Sequence, residues 1–120
     1  MADHGRQDRC FVYGSAEELG SDLVNAKSYS KKMAVLKRII ANATMGNDMS
    51  ALCTSVAECM SLQDIQIKKM GYFFLSNYGM RKKEALTPYI DLFTQDAKSQ
   101  DAITRASALR TMASLLTDDM

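Results

Sequence analysis

An enzyme needs a nucleophile, or an acid and a base, within reach of one another, and this sequence offers little from which to build either. Its one histidine, His4, lies in the polar opening MADHGRQDR. Cys53 and Cys59 stand six apart; that spacing sends them to different sides of a helix, so they read as buried thiols and not as a shared metal site. No glycine-rich loop is present to cradle a phosphate. The sequence therefore predicts no enzymatic activity, no catalytic or metal-ligating residue, and no cofactor.

The positive feature is a gathering of charge at Lys27, Lys31, Lys32, Lys37 and Arg38. These residues fit either a solvated helix face or an anionic-lipid contact. With 15 Lys and Arg against 14 Asp and Glu, no bulk field draws the chain to a membrane, and any attraction has to come from this local patch. Aromatic side chains are not interleaved with the charges, only Tyr29 lying near, which argues against nucleic acid as a partner. A nucleic-acid-binding helical repeat is the alternative reading. Nine methionines are present, and Met49, Met60, Met70 and Met112 lie in or beside apolar stripes, where core filling is their expected role. No apolar run approaches the length of a membrane-spanning helix, the opening residues do not form a signal peptide, and three unpaired cysteines suit a reducing, intracellular compartment.

The elements that position these residues are helices. At 120 residues and 47% apolar composition, the chain reads as one domain with a core: a flexible arm over residues 1–14, docking through Phe11 or Tyr13, and a helical-repeat domain over 15–120. Residues 64–78, DIQIKKMGYFFLSNY, are the centre. Ile67, Met70, Gly71, Phe74, Leu75 and Tyr78 recur at steps of three and four and must be buried, while Ile65, Tyr72 and Phe73 add apolar surface on other sides, as in a helix enclosed by its neighbours. Gly79 is the expected stop. Ser15 with Glu18 opens a first helix as a capping box, weakened by Gly20. Ser28 or Ser30 opens a second, striped by Val35, Leu36, Ile39, Ile40 and Ala43 and ended by Gly46. Asn47 and Asp48 precede a third, striped by Met49, Leu52, Cys53, Val56 and Met60. Ser61 with Asp64 opens the central fourth. Pro88 suits the first turn of a fifth, carrying Tyr89, Ile90, Phe93 and Ala97, or kinks that helix if it begins earlier, near Lys83. After a polar turn at 98–101, a sixth is striped by Ile103, Ala106, Leu109, Ala113 and Leu116.

About six helices with short connections and no strand predict an all-α array of antiparallel hairpins. Three segments look alike, LKRI, IKKM and ITRA, beginning at Leu36, Ile67 and Ile103. Their offsets favour a HEAT/armadillo-like helical-hairpin solenoid, an α-α superhelix, over a closed bundle. On the sixth helix Leu109, Met112, Leu115 and Leu116 form an apolar band wider than one packing stripe; with Ile90 they are the partner-interface candidates, and the isolated chain should self-associate through the C-terminal hairpin from about Pro88 onward.

The pieces LKRII (36–40), MGNDMSAL (45–52), IQIKKMGYFFLSNYG (65–79) and ITRASALRTM (103–112) together resemble the start of the trunk of the β-adaptins, large subunits of heterotetrameric clathrin-adaptor-type coat complexes. The resemblance runs from about Lys31 to Leu116. It departs from the family pattern at Gln100, Asp101 and Ala102, where prolines are usual, and at Ser28, Tyr29 and Ser30, which interrupt the basic run. The resemblance implies an α-solenoid and a non-enzymatic adaptor or scaffold role in vesicle-mediated intracellular protein transport. It further implies a cytoplasmic, peripheral location on Golgi, endosomal or plasma-membrane coats, with the other adaptor-complex subunits as partners. An Arf-family GTPase, with Ile90 as an apolar contact, and anionic membrane lipid are further partners it implies.

Overall fold

Five of the six helices in the computed structural model, which describes residues 14–117, begin where a polar side chain or turn takes up the first free backbone amides. In α1 (Ala16–Asn25) the capping box forms as expected: Ser15 Oγ accepts from the Glu18 amide at 3.2 Å, and Glu18 Oε1 accepts from the Ser15 amide at 3.0 Å. Ser28, not Ser30, caps α2 (Tyr29–Thr44) by accepting from the Lys31 amide. Gly46 follows it at φ +100°, a conformation costly for any residue with a Cβ. Asp48 Oδ1 takes both the amide and the hydroxyl of Ser50, starting a single 3₁₀ turn (Ser50–Leu52) that runs into α3 (Cys53–Met60). Ser61 closes α3 by donating to the Glu58 carbonyl, so Asp64 alone caps α4 (Ile65–Asn77). Asp101 Oδ2 holds the amide and hydroxyl of Thr104 at the start of α6 (Ala102–Leu116).

The fifth element departs from expectation. α5 is the short helix Ile90–Asp96, and Pro88 lies ahead of it in an irregular 3₁₀ stretch, Gly79–Tyr89, broken at Lys82 (φ −116°, ψ 39°). Proline cannot donate an amide and crowds the preceding turn, so the regular ladder starts only beyond it. Gly79 likewise does not end α4 through a left-handed turn; a Cβ there would come within 2.9 Å of Leu75 and 3.4 Å of Cys53. Gly20 also serves close approach, because its Cβ would sit 2.9 Å from Leu52.

The helices pair as hairpins, α1 with α2, α3 with α4, and α5 with α6, and successive hairpins stack side by side. The first helices and the 3₁₀ stretch form one layer; α2, α4 and α6 form the other. The described residues are helical, turn or coil throughout, with no strand among them, and this two-layer stack of hairpins is an α-solenoid. Its centre is α4, as the sequence indicates: Ile67, Tyr72, Phe74 and Leu75 are buried together with Leu36, Ile39, Met60, Leu86 and Phe93. At Gly71 the Met60 side chain occupies the place a Cβ would need, so α3 and α4 cross in close contact.

Two stripes differ from expectation. Ile65 and Phe73 are about half exposed, because neighbours cover α4 on three sides and its fourth side is the outer surface of the layer. On α6 the expected stripe is turned outward: Ile103, Leu109 and Leu116 are 57%, 52% and 74% exposed, while Thr104, Ala108 and Thr111 are buried. Small residues let α6 approach α4 and α5 closely, since axial separation is set by the side chains at the contact. The sequence repeat is also displaced. By burial, Ile39 of α2 matches Gly71 of α4 and Ala108 of α6, one and two residues respectively beyond the match drawn from basic residues. The arm proposed for the first residues, with Phe11, Tyr13 and His4, lies outside the described residues apart from Gly14.

The capping carboxylates imply a pH response. Hydrogen bonds from Thr104 and Ser50 hold the Asp101 and Asp48 carboxyls below the ordinary 3.8. A lowered folded value means that the stabilisation is complete above the unfolded value and is lost as pH falls through the folded one. Acidification below about pH 4 should therefore loosen the starts of α6 and of the 3₁₀ turn before the core opens, read as faster amide exchange at Thr104 and Ser50 than at Leu75.

Candidate partner-binding surface

The side of α4 that faces the third hairpin is filled by Lys68 and Tyr72. Both meet Asp96 of α5: Lys68 Nζ pairs with Oδ1, and the Tyr72 hydroxyl donates to Oδ2 at 2.6 Å. Lys68 and Asp96 are each only 4% exposed, and the Tyr72 ring packs on Phe93 with centroids 5.9 Å apart. Burial, with the adjacent carboxylate second, drives the Tyr72 hydroxyl far above its ordinary pKa, so it acts only as a donor here. Sequence periodicity missed this cluster. The available signal was a lysine at Lys68 inside a run of core positions, which demands a buried acid somewhere else in the chain.

The matching side of α6 is open. Counting from the shared buried positions, Arg105 and Leu109 stand on α6 where Lys68 and Tyr72 stand on α4, and both are exposed. Leu116 continues that face, with Met112 half-buried between them. Of the interface residues expected from sequence, Leu109 and Leu116 thus lie on the open face and Met112 at its inner margin, while Leu115 turns partly inward. Ile90 is separate from them, half-buried at the start of α5, its carbonyl accepting from Thr94 Oγ1. The inner face of α6 contains one unsatisfied group: Thr111 Oγ1 is buried with no hydrogen-bond partner among the described residues. Thr111→Val removes that hydroxyl at nearly constant shape and should raise stability by about 0.5–1 kcal/mol, read as a higher urea midpoint.

The five basic residues do not form one patch. Lys32 is half-buried and its Nζ donates to the Leu23 carbonyl, and Arg38 pairs with Asp22 of α1 at 3.8 Å. Lys31 borders a cleft shared with Asp22, Asn25 and Arg38. Lys27 and Lys37 are exposed, Lys37 on the outer surface of its layer. Cys53 and Cys59 are both buried, and burial raises both thiols above the ordinary value, so neither is a ready nucleophile. Among the described residues no group of His, Cys, Asp and Glu is placed to hold a metal ion, and no helix is long and apolar enough to cross a membrane.

The sequence is similar to those of known proteins. Residues 14–120 match the model of the adaptin N terminal region. The AP-1 complex subunit beta-1 of Homo sapiens is 34% identical over 105 residues, covering 88% of this chain and 11% of that protein. The AP-1 complex subunit beta of Dictyostelium discoideum is 33% identical over 107 residues, covering 89% of this chain and 11% of that protein. The AP-2 complex subunit beta of Schizosaccharomyces pombe is 34% identical over 89 residues, covering 74% and 13% respectively. The chain thus spans a small fraction of the length of these relatives. No solved structure matches it at a significant level. With stacked hairpins, an open α6 face and a match running from Gly14 through the last described helix, the chain belongs to the adaptin N-terminal-region family.

Proposed function

We propose that the chain is a non-enzymatic adaptor or scaffold segment of β-adaptin type, acting in vesicle-mediated intracellular protein transport. It assembles with other adaptor-complex subunits on the cytoplasmic side of Golgi, endosomal or plasma-membrane coats. The observation that carries this reading is the open side of α6: Arg105, Leu109 and Leu116 are exposed at positions whose counterparts on α4 are covered by a following hairpin. A cation beside bulky apolar side chains fits another helical hairpin carrying an acid at the place Asp96 holds in α5. The similarity to beta subunits of AP-1 and AP-2 complexes, over most of this chain, supports the same assignment.

Two finer contacts belong to this proposal. Ile90 serves as an apolar contact for an Arf-family GTPase, and the exposed Lys27 and Lys31 give weak attraction to anionic lipid, each worth at most about 1 kcal/mol. Affinity purification of the tagged chain from cells tests the main reading. Recovery of other adaptor-complex subunits is the expected result. Recovery of the chain alone, with strongly salt-dependent RNA binding that exceeds binding to anionic vesicles, would replace it with the nucleic-acid alternative.

A further inference from the structure

Charge is divided between the two layers. The first helices α1, α3 and α5 contain Asp or Glu and no Lys or Arg, whereas α2, α4 and α6 contain Lys or Arg and no Asp or Glu. The 3₁₀ stretch on the first layer carries both signs. Several of the second-layer cations are already occupied: Lys68 is buried on Asp96, Arg38 reaches Asp22, and Lys32 bonds to Leu23. Lys37, Lys69 and Arg110 remain exposed, one on each helix, on the side opposite the buried positions. Phe73 and Ile103 lie on the same outer surface, 48% and 57% exposed. This surface is distinct from the open side of α6, and nothing in the proposed hairpin stacking covers it.

We propose that the outer face of the α2, α4 and α6 layer is a docking surface for an acidic segment of a partner protein that also carries bulky apolar side chains. Adjacent helix axes lie about 8–10 Å apart, and a chain in the polyproline II conformation advances about 9 Å in three residues, one full turn, so that every third side chain faces the same way. A segment crossing the layer therefore sets a carboxylate against one cation per helix when acids recur every third residue, with apolar side chains between them for Phe73 and Ile103. A lipid surface would take the same cations and apolar side chains without regard to their spacing; the recurrence of one cation per helix at the interaxial distance is what a segment of matching repeat uses, so the segment fits better. The absence of acidic residues from all three helices removes the repulsion that such a segment would otherwise meet.

The test is fluorescence anisotropy with the full chain and a labelled peptide of repeated Glu-Ile-Ser units. The peptide is expected to bind, and the matching Lys-Ile-Ser peptide to fail. Lys37→Glu, Lys69→Glu and Arg110→Glu should each weaken binding about tenfold, the equivalent of 1.4 kcal/mol. Phe73→Ser should weaken it with the salt dependence unchanged. Lys69→Gln, which removes charge without reversing it beside the Asp101 cap, guards against a folding defect. Lys82→Glu alters net charge equally but lies on the other layer; equal losses from Lys82→Glu and Lys69→Glu would overturn the proposal in favour of a net-charge effect. Full binding by Phe73→Ser, with tighter attachment to phosphatidylserine vesicles than to the peptide, would assign the face to a membrane instead. Neither result bears on recovery of adaptor subunits, so this inference and the proposed function fail separately.

Discussion

Asp96→Ala is expected to lower the stability of the chain by about 3–5 kcal/mol, the cost of leaving a buried charge without its partner. Lys68 is almost wholly enclosed and has Asp96 as its charge partner, so removing the carboxylate strands an ammonium between α4 and the third hairpin. Lys68→Ala should cost a similar amount by stranding the carboxylate, although the Tyr72 hydroxyl still donates to it. Tyr72→Phe removes one donor and keeps the ring on Phe93, so a loss of about 1–3 kcal/mol is expected. Against a total stability of about 5–15 kcal/mol for a domain, the alanine variants stand near the limit of folding at ambient temperature. The triple substitution Lys68→Met, Asp96→Leu and Tyr72→Phe replaces the pair by apolar groups of similar volume, leaves no hydroxyl without its acceptor, and should recover most of the loss. Urea midpoints measure all four. A loss under about 1 kcal/mol for Asp96→Ala, the range of a solvent-screened pair, would show that the Lys68 ammonium escapes to water and that the pair does not hold the hairpins together.

The same cluster marks where sequence reasoning reached its limit. Caps were legible because they are local: Ser15 with Glu18, Ser28 and Asp64 each bond to an amide three residues on. The stripes of α2, α3 and α4 were legible because those helices bury one broad apolar face, and the central place of α4 followed from its residue types. Lys68 and Asp96 were not, since the pair joins positions 28 apart and neither residue shows locally that it has left water. On α6 the periodicity was real but pointed the wrong way. Leu109 and Leu116 mark the surface that meets no other described part of this chain, whereas Thr104, Ala108 and Thr111 face inward. A hydrophobic period shows that a face is to be covered; it does not say whether this chain or another covers it. The basic run failed for a related reason: closeness in sequence put Lys32 and Lys37 on opposite sides of α2.

That open face yields the second large effect: the isolated chain is expected to self-associate, with an apparent mass in sedimentation that rises with concentration. Arg105, Leu109, Met112 and Leu116 follow at steps of four, three and four along one side of α6, and the two leucines are more than half exposed. Full burial of a leucine side chain is worth about 1.5–3 kcal/mol, so two of them give a second copy reason to dock where another hairpin would sit. Leu109→Lys with Leu116→Lys should leave the fold intact, because neither side chain contributes to the core, and should weaken association by about a hundredfold or more at 1.4 kcal/mol per factor of ten. Arg105→Ala is the more discriminating change. A partner hairpin that places an acid there loses a charge pair, while a purely apolar contact is indifferent or improved. A monomer of constant mass across the concentration range, with Leu109 and Leu116 amides and methyl groups protected from solvent, would mean that the face is closed by this chain itself and would remove the ground for a stacked neighbour.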